Sequence, residues 1–152
     1  MVRHKRIKEI ANLIDAFVDR YRKINDRKTF PHMQVGTIVR MLFNSKPLGK
    51  GWHKSAHLVY STKRNLVFKF GRKVAIRRDT NVYKRIPNRY YAKVYWFTKY
   101  CMLQKYGIKS KVSKSELKRL QKIGKQYGLG DIRPDNIRKV DGKLKIVDAN
   151  LR

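Results

Sequence analysis

Asp131, Asn136 and Asp148 are the residues whose types and spacing suit a chemistry. They lie in the stretch GDIRPDNIRKVDGKLKIVD, 130–148. The chain carries 39 Lys and Arg against 10 Asp and Glu, a formal net charge of +29, yet four of the ten acids (Asp131, Asp135, Asp141 and Asp148) fall inside these residues. Asp131 and Asn136 stand five positions apart on a predicted loop between a helix and a hairpin. Asp148 ends the second predicted hairpin strand, where the backbone turns it back toward that loop. Two carboxylates and an amide oxygen make a hard oxygen set, suited to Mg²⁺ with phosphate rather than to a soft metal. The remaining Asp can orient or deprotonate a hydroxyl. Plainer roles also exist: Asp131 as a loop cap, Asp135 as a solvated turn residue, Asp141 as the hairpin turn, and Asp148 as an offset to neighbouring lysines.

The elements that must position these residues can be read from periodicity and punctuation. Ile7, Ile10, Leu13, Ile14, Phe17, Val18 and Tyr21 recur at helical spacing, and the polar run NDRKTFPH ends that helix. Val35, Ile38, Val39 and Leu42 predict a second helix over about Met33 to Phe43. The glycine-bearing stretch LGKGWHKS reads as a loop before two strands, SAHLVYS and NLVFKFG, joined by the turn TKRN. VAIRRDTNVYKRI predicts a short helix closed by Pro87, and YYAKVYWFTKYCMLQKYG two strands ended by Gly107. Ser113 and Glu116 form an S-x-x-E capping box for a further helix, with Leu117, Leu120, Ile123 and Tyr127 on its buried face and Gly128 as its stop. Asp141-Gly142 is a two-residue turn signal between alternating runs. The order predicts an α+β fold with an antiparallel sheet in the middle.

With these pieces in order, the sequence resembles the protein-kinase-like superfamily. D-I-R-P-D-N-I fits the D-x-x-x-x-N of the catalytic loop, and K-I-V-D-A-N-L resembles the strand and Asp of the D-F-G motif. L-G-K-G-W-H-K-S-A resembles the glycine-rich loop, L-V-F-K the strand that carries the phosphate-binding lysine, and YCMLQKYG stands in the place of the hinge strand. The resemblance covers about Phe43 to Arg152. It implies ATP and Mg²⁺ as cofactors and assigns roles. Lys69 would hold the α- and β-phosphates, and Gly49 and Gly51 would admit backbone N–H groups to the phosphates. Asp131 would accept the proton of the attacking hydroxyl, and Asn136 and Asp148 would bind Mg²⁺. The family's lysine pairs with a Glu; here the acid available on the following helix is Asp79, one methylene shorter.

Several positions depart from the pattern. Lys54 replaces the third glycine, Leu129-Gly130 precedes Asp131 in place of His-Arg, and Ala149-Asn150 replace the Phe and Gly of D-F-G. The chain ends four residues after Asp148, without the family's activation segment, A-P-E motif and helical platform. The resemblance therefore implies a kinase-like N-lobe sheet over about 44–107, a much reduced C-lobe over about 108–152, and an N-terminal helical extension at 1–43. A protein partner would supply the missing C-lobe surface.

The excess of cations favours a polyanion partner, DNA or RNA, contacted mainly through its phosphate backbone. Trp52, in the glycine loop, can stack on a base or on a neighbouring lobe. Cys101 is alone and sits in an apolar run, so it reads as a small buried hydrophobe, and the four His show no metal spacing. No signal-peptide pattern and no apolar run of about 20 residues is present, which points to an intracellular, cytoplasmic protein without a membrane partner. Two functions follow. One is a minimal ATP- and Mg²⁺-dependent phosphotransferase. The other is a kinase-like scaffold that sits on nucleic acid without turnover, as a phage or virion protein lying against packaged genome would.

Overall fold

The computed structural model describes residues 3–25, 28–50, 54–60 and 64–151. In chain order these form α1 (His4–Ile24), α2 (His32–Phe43), β1 (Lys46–Lys50), β2 (Lys54–Tyr60), β3 (Asn65–Gly71), α3 (Lys73–Arg85), β4 (Val94–Phe97), β5 (Cys101–Lys105), α4 (Lys114–Gln126), β6 (Leu129–Gly130), β7 (Ile137–Val140), β8 (Lys143–Ile146) and β9 (Asn150–Leu151). The fold is mixed α+β around an antiparallel sheet, as the element order predicts. Two compact units divide it. The first comprises Met1–Ile76 and Tyr95–Gln104, the second Arg77–Val94 and Lys105–Arg152.

The first unit holds α1, α2 and a sheet in the order β1-β2-β3-β5-β4. Alternation along each strand gives this sheet two chemically distinct faces. Val59, Leu66, Phe68, Phe70, Cys101 and Leu103 join the core built on α1 and α2, while Ala56, Leu58, Val67, Lys69, Met102 and Gln104 point to the opposite face. The helices contribute Ile7, Ile10, Ile14 and Val18 from α1 and Val35, Val39 and Phe43 from α2, each worth about 1.5–3 kcal/mol on burial. Two expectations are corrected here. Leu13 and Leu42 are exposed, and Ala11 and Phe43 take the buried positions beside Ile10 and Val39. The buried stripe of α1 is thus narrower than the run of apolar residues. A third correction concerns LGKGWHKS. Its first residues form the end of β1 and its Lys54 opens β2, because the backbone pairs Lys46 with Leu58 and Lys50 with Ser55. Trp52 and the Thr62-Lys63 half of the TKRN turn lie outside the described residues.

Two acids of α1 secure the turn between β4 and β5. Asp15 accepts from the Thr98 hydroxyl (3.1 Å), the Lys99 N–H (3.1 Å) and the Tyr100 N–H (3.0 Å). Asp19 accepts from Lys99 Nζ (2.7 Å) and the Tyr100 hydroxyl (2.6 Å). Burial raises the Asp15 carboxyl above its ordinary value, ahead of the lowering by its three donors. Asp19 moves the other way: burial pushes it up, but the bonds from Lys99 and Tyr100 outweigh that and lower it. Next to this turn, Cys101 is fully buried, and burial holds its thiol well above the ordinary range. The thiolate is the nucleophile, so the native protein should react with a disulfide reagent only as fast as it opens. Thiol titration with and without denaturant checks this: rapid labelling of the native protein would contradict the packing.

The second unit is organised by the β7–β8 hairpin, in which Ile137 pairs with Ile146 and Val140 with Lys143 across the Asp141-Gly142 turn. Both turn residues have positive φ, 52° and 79°, the geometry that suits a tight hairpin and that the Asp-Gly pair tolerates. Flanking segments clip onto the hairpin. Ile146 N–H donates to the Tyr90 carbonyl and Ala92 N–H to the Ile146 carbonyl, and Ile108 and Lys139 exchange two 2.9 Å bonds. Helix α4 begins as its capping box predicts, with Glu116 N–H donating to Ser113 Oγ (3.2 Å), and Gly128 follows its end at φ 73°. Leu120 is its fully buried apolar residue, with Leu117, Ile123 and Tyr127 half-buried beside it.

Candidate functional site

Each unit carries part of the candidate set, and each part is built by strand pairing. In the first unit Lys69 lies on β3 opposite Ala56 of β2, and Ala56 in turn lies opposite Gly49 of β1. Directly opposed residues share a face, so Gly49, Ala56 and Lys69 form one row across three strands, roughly 10 Å from end to end at ordinary strand spacing. The register shift between Pro47 and Gly49 brings Gly49 into that row. A Cβ at Gly49 would meet nothing within 4 Å, so the backbone there is open to approach. Lys69 is only 7 % exposed; an ammonium in that setting demands anionic or dipolar company. Gly51 lies outside the described residues.

The opposite face of the same sheet holds a feature that the sequence did not signal. A cavity of about 300 Å³ between α2 and β2 is lined by His32, Arg40, Ser55, His57 and Phe70 among others. His57 shares a 3.0 Å hydrogen bond with the Ser45 hydroxyl, and burial, helped by Arg40, holds its imidazole below the ordinary value. Ser55 and His57 are two apart on β2, so strand alternation was the available clue.

In the second unit the loop 131–136 is closed on itself. Asp131 adopts a left-handed backbone (φ 57°), which turns the chain sharply after β6. The Asn136 amide nitrogen donates to the Asp131 carbonyl (2.9 Å), and Asn136 N–H donates to the Arg133 carbonyl (2.9 Å). The first of these bonds leaves Asn136 Oδ1 as the amide atom free to face a cation. Gly130 pairs with Asn150 and Leu129 with Leu151, so the β6–β9 ladder lays the segment after Asp148 beside the start of the loop. Asn150 Nδ2 lies 3.4 Å from Asp131 Oδ2, and Arg133 Nε lies 2.9 Å from Asp131 Oδ1. The Val147 N–H donates to the Asn136 carbonyl (2.8 Å), which ties the residue before Asp148 to Asn136. Strand β8 ends at Ile146, so the half-buried Asp148 sits in the linker to β9 rather than at a strand end.

Helix α4 anchors this loop from below. Ile132, next to Asp131, is buried against it, and Gln121 Nε2 donates to the Ile132 carbonyl (3.0 Å). Gly124 leaves room for that side chain, since a Cβ there would stand 2.0 Å from Ile132 Cδ1. Asp79, on α3, is 2 % exposed. The structure thus gathers Asp131, Asn136 and the Asp148 segment in one unit, and aligns Gly49 with Lys69 in the other.

Among the described residues no group of three or more His, Cys, Asp or Glu side chains is assembled as a metal centre. Mg²⁺ with a nucleotide asks for less, because phosphates and water supply most of its ligands and one or two protein oxygens suffice. The fixed amide of Asn136 and the carboxylate of Asp148 fit that smaller demand in donor type. No helix of the described residues is long and apolar enough to cross a membrane. Compared with protein-family models and with curated proteins, the chain matches none.

Proposed function

We propose that the chain is an ATP- and Mg²⁺-dependent phosphotransferase of the protein-kinase-like type. The observation that most supports this reading is the closed 131–136 loop, in which the Asn136 amide is locked to the Asp131 carbonyl while the Asp131 carboxylate stays exposed. In this reading Asp131 receives the proton of an acceptor hydroxyl as that oxygen bonds to the γ-phosphorus and the bond to the β-phosphate oxygen breaks, leaving ADP. Arg133 and Asn150 orient the carboxylate. Lys69 holds the phosphates, and Gly49 lets the backbone approach them. Asn136 and Asp148 hold Mg²⁺, which neutralises phosphate charge when bound. Asp79 is the candidate partner of Lys69.

Two measurements test the proposal. Labelled ATP is incubated with the protein alone, with basic proteins and with nucleic acid, and transfer is followed. Mg²⁺-ATP is also added in a thermal-shift experiment, where a ligand at 100 times its Kd stabilises by about 2.7 kcal/mol. No shift and no transfer would remove the proposal. The row in the first unit gives a finer check. Gly49→Ala should leave the melting temperature nearly unchanged, since the added methyl meets open space. It should weaken ATP binding if phosphate approaches the backbone there; an equal affinity would take Gly49 out of the site.

A second reading, a kinase-like scaffold bound to nucleic acid without turnover, is favoured by the net charge of +29. A thermal shift from DNA or RNA with none from Mg²⁺-ATP selects it.

A further inference from the structure

We propose that a basic pocket in the second unit binds the phosphate backbone of nucleic acid. The pocket has a volume of about 380 Å³ and gathers Arg89, Lys111, Arg119, Lys139 and Lys143 around a single acid, Glu116. The proposal rests on the polyanion contact of the second reading and gives that contact a location.

The five cations come from four separate segments, and each segment is held by backbone structure. Lys139 exchanges two hydrogen bonds with Ile108, three residues before Lys111. Lys143 opens β8 directly after the tight turn, paired with Val140. Arg119 projects from the second turn of α4, behind the Ser113 cap. Arg89 precedes Tyr90, whose carbonyl accepts the Ile146 N–H (2.8 Å). Among the described residues none of the five forms a salt bridge within the protein. The acid is outnumbered five to one, and Glu116 Oε1 also accepts from the Ser113 hydroxyl (3.1 Å). Like charges brought together without neutralisation repel, and an anion relieves that repulsion.

The charge continues beyond the pocket, which distinguishes a long anion from a small one. Lys114, Lys118, Lys122 and Lys125 are exposed on α4 and form a line at three- and four-residue spacing along the helix face next to Arg119, with Lys122 one turn on from it. A helix of this length spans about 20 Å. A free phosphate has no use for that line of ammonium groups, whereas successive phosphates of a strand meet it. Arg89 also lies over the Tyr90 ring, 4.9 Å from its centroid, which places a planar surface beside the cations. Stacking of this kind tolerates any base, so the contact reads backbone rather than sequence.

Fluorescence anisotropy with labelled single- and double-stranded oligonucleotides of mixed sequence tests the site. Arg119→Gln with Lys143→Gln is compared with Lys5→Gln and Lys8→Gln, which remove the same charge from the exposed face of α1 in the other unit. Melting curves establish that both double variants are folded. The pocket variant should bind about tenfold more weakly than the α1 variant, and its log–log salt slope on single strands should fall by about 1.4, two phosphate contacts' worth. Equal losses in the two variants would overturn the pocket while leaving general polyanion binding intact. No binding by the unaltered protein would overturn both. Inorganic phosphate, added at matched ionic strength, separates the sources: displacement of the oligonucleotide by an equal molar amount of phosphate would assign the pocket to free phosphate and overturn the proposal.

Discussion

Asp131→Asn should slow phosphoryl transfer by about 10²–10⁴-fold while leaving the Mg²⁺-ATP thermal shift in place. The substitution keeps size and shape. The amide oxygen can still accept from Arg133 Nε, the partner now 2.9 Å from Oδ1. The φ of 57° is also retained at little cost, because Asn tolerates the left-handed region as well as Asp does. What disappears is the proton acceptor. Asp131 and Arg133 side chains are 37 % and 61 % exposed, so their ion pair adds little to stability and the variant should melt near the parent. A rate unchanged in labelled-ATP transfer would remove Asp131 from the chemistry. A lost thermal shift would instead make it a ligand-binding residue. Asp148→Asn is the companion: it should lower the Mg²⁺ dependence of the shift, which Asp131→Asn should not.

Asp15→Ala should destabilise the first unit by about 2–4 kcal/mol, a fall in Tm of about 6–12 °C. One carboxylate serves the Thr98 hydroxyl and the Lys99 and Tyr100 N–H groups, and its loss leaves a part-buried backbone donor without a partner. Asp19→Ala should cost less, because its pair with Lys99 is nearly half solvent-exposed and the Tyr100 hydroxyl keeps its bond from Arg22. The two acids also act oppositely with pH. The Asp19 carboxyl is lowered, so its contribution is present above the ordinary carboxylate value and is lost as pH falls through its folded value. The Asp15 carboxyl is raised, so stability from that group falls as pH rises from the ordinary value to its folded one. Unfolding curves across acid pH should therefore lose the lower slope in Asp19→Ala and the upper one in Asp15→Ala. Identical pH profiles in parent and variants would contradict this assignment.

The contrast between those acids and the 131–148 stretch shows what the sequence could disclose. Asp131, Asn136, Asp148, the Ser113 cap and the Asp141-Gly142 turn are local patterns, and local patterns survive translation into a string of letters. Asp15 and Asp19 look like polar positions on an amphipathic helix. Their partners stand eighty or more residues away, so nothing near them in the chain reveals that they hold a turn. Strand β1 was hidden for a different reason. KPLGK has no β-branched residue and owes its conformation to the ladder with β2. Strand β9 is two residues long and exists only as the partner of β6. The basic pocket was visible as an excess of charge but not as a place, since four segments have to meet before five cations surround one concavity. Exposure of Leu13 and Leu42 reflects the same limit: periodicity marks which residues can share a face, while the curvature of the packed partner decides how wide that face is.

Ala56 stands midway in the row between Gly49 and Lys69, and its single methyl is the smallest side chain that still defines a strand face. That makes it a natural aperture control. Enlarging it to Val or Leu would alter no charge, donor or acceptor, yet would fill the space above the row with hydrocarbon. A ligand lying across those three strands would then be excluded by bulk alone, whereas one bound elsewhere on the protein would be indifferent, so a graded series at this one position measures how near to the sheet the occupant comes.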